Sequence, residues 1–175
     1  MNMLGKKLAA VVIGLALTAG SAQAVFADSA NADGGAASAK KGQHAEWKAQ
    51  TAALKSQLVT LRAEQQALAA QIKSLHAVNK SAVKAMPKEQ RAKLKASLKQ
   101  LTQQIQSQHD SIQALRTQKQ ALWAQVKAAK QAGNTDAGTA DLTQIIALKE
   151  QIIQVKQQVL TLQQNLQTLL TSIGV

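Results

Sequence analysis

Residues 54–75 read LKSQLVTLRAEQQALAAQIKSL. Apolar residues recur in this stretch at alternating steps of four and three, and one glutamine, Gln65, interrupts the row. That spacing is the heptad repeat of a helix that packs along a partner helix. Ala, Gln and Lys, which all favour helices, fill most of the other positions. The stretch therefore predicts a long amphipathic helix of the coiled-coil type.

The same spacing extends in both directions and predicts a first helix over about residues 44–86. Pro87 ends this helix and begins a second one over about residues 87–131, because proline is favoured at the first helical position. The predicted seam of the first helix is Trp47, Thr51, Leu54, Leu58, Leu61, Gln65, Leu68, Ile72, Leu75, Asn79, Ala82 and Met86. The predicted seam of the second is Leu94, Leu98, Leu101, Ile105, Gln108, Ile112, Leu115, Lys119, Leu122, Val126 and Ala129.

These two seams match when the chain is folded back on itself at the Met86–Pro87 bond. Leu75 then faces Leu98, and Gln65 falls in the same layer as Gln108. A hydrogen bond between the two glutamine amides would be a buried polar pair that fixes the register. The two seams thus predict a long antiparallel coiled-coil helical hairpin, with Gln65 and Gln108 as its register-setting core pair.

A third helix is predicted over about residues 140–173, with Thr139 as its N-cap and residues 131–140 as a loop. Its apolar stripe is wide enough to touch two neighbouring helices. The predicted seam is Ile145, Leu148, Ile152, Val155, Val159, Leu162, Leu166, Leu169 and Ile173. The fold class is therefore all-α: a hairpin with a third helix packed along it, forming a three-helix bundle over residues 44–175. Because the third helix is shorter than the hairpin arms, residues 75–98 are expected to protrude as a two-helix tip.

The N-terminus has the pattern of a signal peptide over residues 1–27. Lys6 and Lys7 precede a short apolar run, and small residues allow cleavage after Ala24 or Ala27. An uncleaved anchor remains an alternative, because no charge lies between Lys7 and Asp28. Residues 28–43 are small and polar and predict a disordered linker. We expect an exported bacterial protein, periplasmic, wall-associated or secreted, with no membrane span after cleavage and, having no cysteine, no disulfide.

Positive charge is concentrated at the predicted tip. The chain has a formal net charge of +12 at pH 7, which favours anionic partners. The candidate anion- or partner-binding residues are Lys80, Lys84, Lys88, Arg91, Lys93, Lys95 and Lys99. Glu89 is the one acid among them. No aromatic residue lies in or near the predicted tip, which argues against base stacking and against sequence-specific nucleic-acid binding. The expected partner is an anionic envelope polymer or an acidic protein. A merely solvated tip and self-association through the helices remain alternatives.

The sequence predicts no catalytic, metal or cofactor site. His44, His76 and His109 fall on different turns of the predicted hairpin, and His109 beside Asp110 lacks a third partner. The leading hypothesis is an exported non-enzymatic coiled-coil protein that binds anionic polymers or partner proteins through its basic tip. One alternative is an extracytoplasmic chaperone-like or stress-response binder of unfolded proteins. The other is a structural spacer or oligomerisation module without a ligand.

Overall fold

The chain is all-α over the part that this computed structural model describes, residues 35–172, with side chains from residue 42 onward. Its elements are α1 (Gly35–Gln50), α2 (Ala52–Ala85), α3 (Lys88–Gln131) and α4 (Thr135–Thr171), and no strand occurs in this range. The all-α prediction is confirmed. The predicted signal peptide and residues 28–34 of the predicted linker lie outside the described residues.

Helix α1 begins inside the segment predicted to be a linker. Residues 35–43 are helical, so the prediction of disorder is wrong for this part of the segment. Ala and Lys are frequent here, and extending an existing helix costs far less than starting one. Those two effects outweigh the small, polar composition on which the prediction of disorder rests.

Thr51 joins α1 to α2 without interrupting the hydrogen-bond ladder. Its amide donates to the Trp47 carbonyl at 3.0 Å, and its carbonyl accepts from the Lys55 amide at 3.0 Å. The fully buried Thr51 hydroxyl also donates to the Trp47 carbonyl, at 2.6 Å. Such back-bonding by threonine locally bends a helix. The predicted first helix is therefore two helices that meet at a threonine.

The predicted seams of the first two helices match the buried faces of α2 and α3. Every residue named above for those two seams is buried or half-buried. Leu58 and Asn79 are the most buried of these within α2, and Ile112, Val126 and Ala129 within α3.

The two seams face α4 rather than each other. Most tertiary packing of α2 and of α3 is made with α4, and α2 and α3 approach one another at few points. The predicted direct hairpin, in which Leu75 faces Leu98, therefore does not describe the main packing. The stripe of α4 is wider and more apolar than either seam, so each seam removes more apolar surface from water against α4 than against the other.

Two hydrogen-bonded pairs show that α4 runs parallel to α2 at a constant offset. Gln65 bonds Lys149, and Asn79 bonds Gln163, each pair separated by 84 residues. The same offset brings Leu170 level with Met86, and both side chains are almost fully buried. The predicted protruding tip over residues 75–98 is therefore wrong, because α4 covers the whole length of α2.

The third helix is longer than predicted because the preceding turn is shorter. Gly133 has a φ of 69° and ends α3 in a Schellman turn, with Asn134 N donating to the Ala129 carbonyl at 2.9 Å. Asn134 is then the N-cap of α4, since its Oδ1 accepts from the Ala137 amide at 3.0 Å. Thr139, predicted as the N-cap, lies inside the first turns of α4.

The seam of α4 also differs from the prediction. Its buried row includes Leu142, Lys149, Lys156, Gln163 and Leu170, which recur every seven residues. The predicted residues Leu148, Val155, Leu162 and Leu169 are only half-buried, and Ile173 lies outside the described residues. Because α4 packs on two helices, the middle of its buried face includes polar side chains. A prediction that considers apolar residues alone does not include them.

Candidate functional site

Two features of the described surface are candidate binding sites: a charged end and a groove. The charged end, called the basic end below, is formed where α2 turns into α3. Met86 is extended (ψ 134°) and Pro87 (φ −58°) is the N-cap of α3, so the first turn of α3 follows the last turn of α2 almost directly along the chain. The basic end comprises Lys80, Lys84, Lys88, Arg91, Lys93, Lys95 and Lys99, all of them exposed.

Arg91 differs from the other members of the basic end because it caps α2. Its Nη2 donates to the carbonyls of Val83 at 2.9 Å, Lys84 at 3.2 Å and Met86 at 3.3 Å. The final carbonyls of a helix have no partner within the helix, so a cation placed there stabilises its end. Arg91 is thus engaged within the chain, while the six lysines keep their ammonium groups in solvent.

The basic end carries almost no compensating negative charge. Glu89 is the one acid among its residues, and the side chains described from residue 42 to 172 form no ion pair. Lys88 and its neighbours also lie at the N-terminus of α3, where the helix dipole disfavours positive charge. The lysines of the basic end are therefore not stabilised by ion pairs with the described residues.

Inside the helical unit, Gln65 binds α4. Its Nε2 donates to the Lys149 carbonyl at 3.0 Å, and Lys149 Nζ donates back to its Oε1 at 3.4 Å. Lys156 Nζ donates to the Gln65 carbonyl at 2.6 Å. Gln65 is thus a register-setting polar residue, but its side-chain partner is α4 and not Gln108, because the seam of α2 faces α4.

Lys149 and Lys156 are buried cations that form no ion pair with an acidic side chain of residues 42–172. Burial is the main cause that lowers the pKa of Lys149, and the charges of Lys119 and Arg62 lower it further. Burial likewise lowers the pKa of Lys156, with added effects first of Arg116 and then of the nearby lysines. The centre of the helical unit therefore holds net positive charge.

A second polar layer lies two heptads beyond Lys149 along α4, at Gln163. Asn79 Nδ2 donates to the Gln163 carbonyl at 2.8 Å and to Gln163 Oε1 at 2.9 Å. Gln163 Nε2 lies 3.4 Å from His76 Nδ1. The buried Oδ1 of Asn79 has no partner. This layer fixes the register of α2 on α4 at a second point.

The groove, the second candidate feature, is a cavity of about 540 Å³ between α2 and α3, with α4 as its floor. It exists because the two outer helices pack on α4 and leave a gap between themselves. Its lining residues are Ala69, Ile72, Lys73, His76, His109, Asp110, Ile112, Gln113, Arg116, Lys156, Val159 and Gln163.

Sequence reasoning did not identify the groove. It placed His76 and His109 on different turns, whereas both line this cavity. They form no metal site: within the described residues no group of three or more His, Cys, Asp or Glu side chains is placed to hold a metal ion. The overlooked signal was the recurrence of Lys149, Lys156 and Gln163 at one heptad position of α4.

Comparisons of the chain with protein-family models, with curated proteins and with solved structures found no match. Among residues 35–172, none of the helices combines the length and the apolar character needed to cross a bilayer.

Proposed function

We propose that this chain is an exported, non-enzymatic binding protein that docks on an anionic envelope polymer through the six lysines of the basic end. The observation that carries the proposal is that these six lysines are exposed, close in sequence on two consecutive helices, and form no ion pair with any described side chain. An acidic protein surface is the second partner that this charge would suit.

Binding of this kind would use several weak contacts together. A single exposed ion pair contributes roughly 0–1 kcal/mol, so one lysine would add little alone. Six lysines that meet a polymer with repeated negative charges act in parallel, which raises the overall affinity without requiring a shaped pocket. Contacts of this type are screened by salt, and the binding should weaken as ionic strength rises.

The packing of α4 reduces the basis for the client-binding alternative. A wide apolar stripe such as that of α4 could hold unfolded chains only if it were exposed. Ile145 and Val159 of that stripe are fully buried, and Ile152 is 2% exposed, because α2 and α3 cover it. No comparable apolar stripe is left open along α4, which favours docking by charge.

The test is binding of the protein to purified anionic envelope polymer and to long-chain polyphosphate, at low and high salt. The variant carries Lys80→Gln, Lys84→Gln, Lys95→Gln and Lys99→Gln. A matched control carries Lys48→Gln, Lys55→Gln, Lys127→Gln and Lys130→Gln, four exposed lysines outside the basic end.

Both variants lose the same charge, so only the position differs. We expect the basic-end variant to bind at least about tenfold more weakly, a change of roughly 1.4 kcal/mol, and the control to stay close to the original chain. Equal weakening in both variants would mean that net charge alone attracts the polymer. Unchanged binding in both would reject the basic end as the docking surface.

A further inference from the structure

One of the two tryptophans of the chain is exposed on the surface of α3. Trp123 is 41% exposed, whereas Trp47 is 5% exposed and belongs to a buried cluster. The Trp123 indole forms no hydrogen bond and no ring contact with the side chains described over residues 42–172. Its ring and its Nε1 donor are therefore available to a ligand.

Cations of α3 lie on both sides of Trp123 along the helix. Arg116 and Lys130 are seven residues before and after it, which is about two helical turns and places the three side chains on one face. Lys127 lies one turn beyond Trp123. All three cations are exposed, and none forms an ion pair or a side-chain hydrogen bond within residues 42–172. Arg116, Trp123, Lys127 and Lys130 are called the tryptophan face below.

The charge around the tryptophan face is positive throughout. Residues 111–132 hold four cations, the three of the face and Lys119, and no Asp or Glu. Burial and then the charge of Arg116 lower the pKa of Lys156, so positive potential extends from the face into the helical unit beneath it. Such a surface attracts anions and repels a second copy of this basic chain.

Two properties of a ligand would match this face: negative charge for the cations and a flat π-surface for the indole. A single-stranded nucleic acid has both, since its bases stack on aromatic side chains while its phosphates bind Lys and Arg. From Arg116 to Lys130 the face is roughly 21 Å long, at about 1.5 Å per residue, which is enough for several nucleotides. A duplex keeps its bases stacked on one another, so it cannot offer one to Trp123.

The face does not suit a lipid surface. A helix that lies in a membrane interface presents a broad apolar side with several large residues. Trp123 is the one large apolar side chain that is exposed on α3, and the others exposed among the described residues, Val59 and Val78, belong to α2. One indole among cations favours stacking over insertion into lipid.

We infer that the tryptophan face binds single-stranded nucleic acid without sequence preference. A base stacks on the Trp123 indole, and the neighbouring phosphates lie against Arg116, Lys127 and Lys130. The face shares no residue with the basic end, so this inference and the docking proposal can fail separately. The polymers that test the basic end carry no bases and do not use the stacking contact.

The test compares an oligothymidine of about 12 nucleotides with an abasic strand of the same length, by fluorescence anisotropy of the labelled strand at low and high salt. The two strands carry the same phosphates, so the ratio of their Kd values isolates the contribution of the bases. We expect the full chain to bind the thymidine strand at least about tenfold more tightly, a difference of roughly 1.4 kcal/mol. High salt should weaken both strands and leave the ratio nearly unchanged.

Variants separate the ring from its bulk and from the charge. Trp123→Leu keeps an apolar side chain without the ring and should abolish the preference for bases, while Trp123→Phe keeps a ring and most of the preference. Val59→Ala, which trims an exposed apolar side chain of α2, is the matched control and should leave the preference intact. The variant with Lys80→Gln, Lys84→Gln, Lys95→Gln and Lys99→Gln should keep the preference too. Urea denaturation checks that each variant is folded.

NMR of the indole N–H groups locates the contact. The chain has two tryptophans, and Trp123→Phe identifies the signal of Trp123. The thymidine strand should shift that signal and leave the signal of Trp47 in place. Equal affinity for the two strands, a preference that survives in Trp123→Leu, or tighter binding of duplex DNA would each overturn the inference. Binding of anionic lipid vesicles or of an acidic peptide through Trp123, in place of the strand, would overturn it as well.

Discussion

The indole ring of Trp47 lies against the backbone of Gly138, in the space that a Cβ atom at that position would occupy. Trp47 is 5% exposed and belongs to a buried cluster with Leu142, Ile145 and Val126. This contact joins α1 to α4. It makes a glycine in the first turns of α4 a packing requirement.

Gly138→Ala is therefore expected to destabilise the fold. The added methyl group overlaps the Trp47 ring, and overpacking of this kind costs about 1–3 kcal/mol. The better helix propensity of alanine returns about 1 kcal/mol at most. Urea denaturation measures the difference, and Gly42→Ala is the control, because nothing lies within 4 Å of a Cβ atom there. The control should be neutral or slightly stabilising; a stabilised Gly138→Ala variant would contradict the packing described.

Lys156→Met is expected to stabilise the folded state at neutral pH by about 1 kcal/mol, because it removes a buried charge that has no ion pair among the described residues. Burial lowers the pKa of Lys156 in the folded state, so the folded chain binds this proton less tightly than the unfolded chain, where the pKa is near 10.5. The cost of the buried charge is present at neutral pH. It disappears as the pH rises from the lowered pKa towards 10.5.

The measurement is the free energy of unfolding against pH for the original chain and for Lys156→Met. Stability of the original chain should rise over the alkaline range below pH 10.5, and the variant should rise less. Lys127→Met, at an exposed position of α3, provides the baseline for loss of one ordinary lysine. An identical slope in all three proteins would show that Lys156 is not desolvated.

Asn79 and Gln163 should behave as a coupled pair. Asn79→Leu leaves the buried Gln163 Oε1 without its donor, which costs about 1–3 kcal/mol, whereas in Gln163→Leu the Asn79 amide keeps its bond to the backbone carbonyl of residue 163 and the cost should be smaller. Replacing both leaves an apolar layer and should cost much less than the sum of the two single changes. A double-mutant cycle followed by urea denaturation measures the coupling energy. Additive single effects would mean that the hydrogen bond between the two side chains contributes little.

Arg91→Gln should destabilise the fold, unlike the loss of a neighbouring lysine of the basic end. Loss of the three carbonyl contacts at the end of α2 is expected to lower the free energy of unfolding by about 1 kcal/mol, since hydrogen bonds to charged groups each contribute about that much or more. Lys93→Gln removes the same charge two residues away and should leave stability unchanged. Thermal or urea unfolding measures both. A stability loss for Lys93→Gln as large as that for Arg91→Gln would show that the basic end is governed by charge repulsion and not by the cap.

The sequence predicts the buried faces of α2 and α3 residue by residue, because each packs on one neighbour through a narrow heptad seam. It does not predict which neighbour. Gln65 and Gln108 fit opposite one another, yet Gln65 binds Lys149, because heptad spacing is the same in all three long helices and cannot distinguish between partners. The pairing is decided by the breadth of the apolar surface on α4.

The candidate groove could not be predicted for a related reason. A count of apolar residues favoured Leu148 and Val155 over Lys149 and Lys156 as core positions of α4. A lysine can occupy a buried position when its aliphatic chain packs on apolar side chains and its ammonium group finds an acceptor. For Lys156 that acceptor is the carbonyl of Gln65, which lies on another helix. Such partners become visible only once three helices are placed together.

The constant offset of 84 residues between α2 and α4 limits how this chain can change in length. A single inserted residue between Gln65 and Asn79 would rotate every later side chain of α2 by about 100° and leave Gln163 without its partner. Seven residues added to α2, α3 and α4 together would restore all the layers. Natural variants of this protein that differ in length between Ala52 and Thr171 should therefore gain or lose the same number of whole heptads in each of α2, α3 and α4.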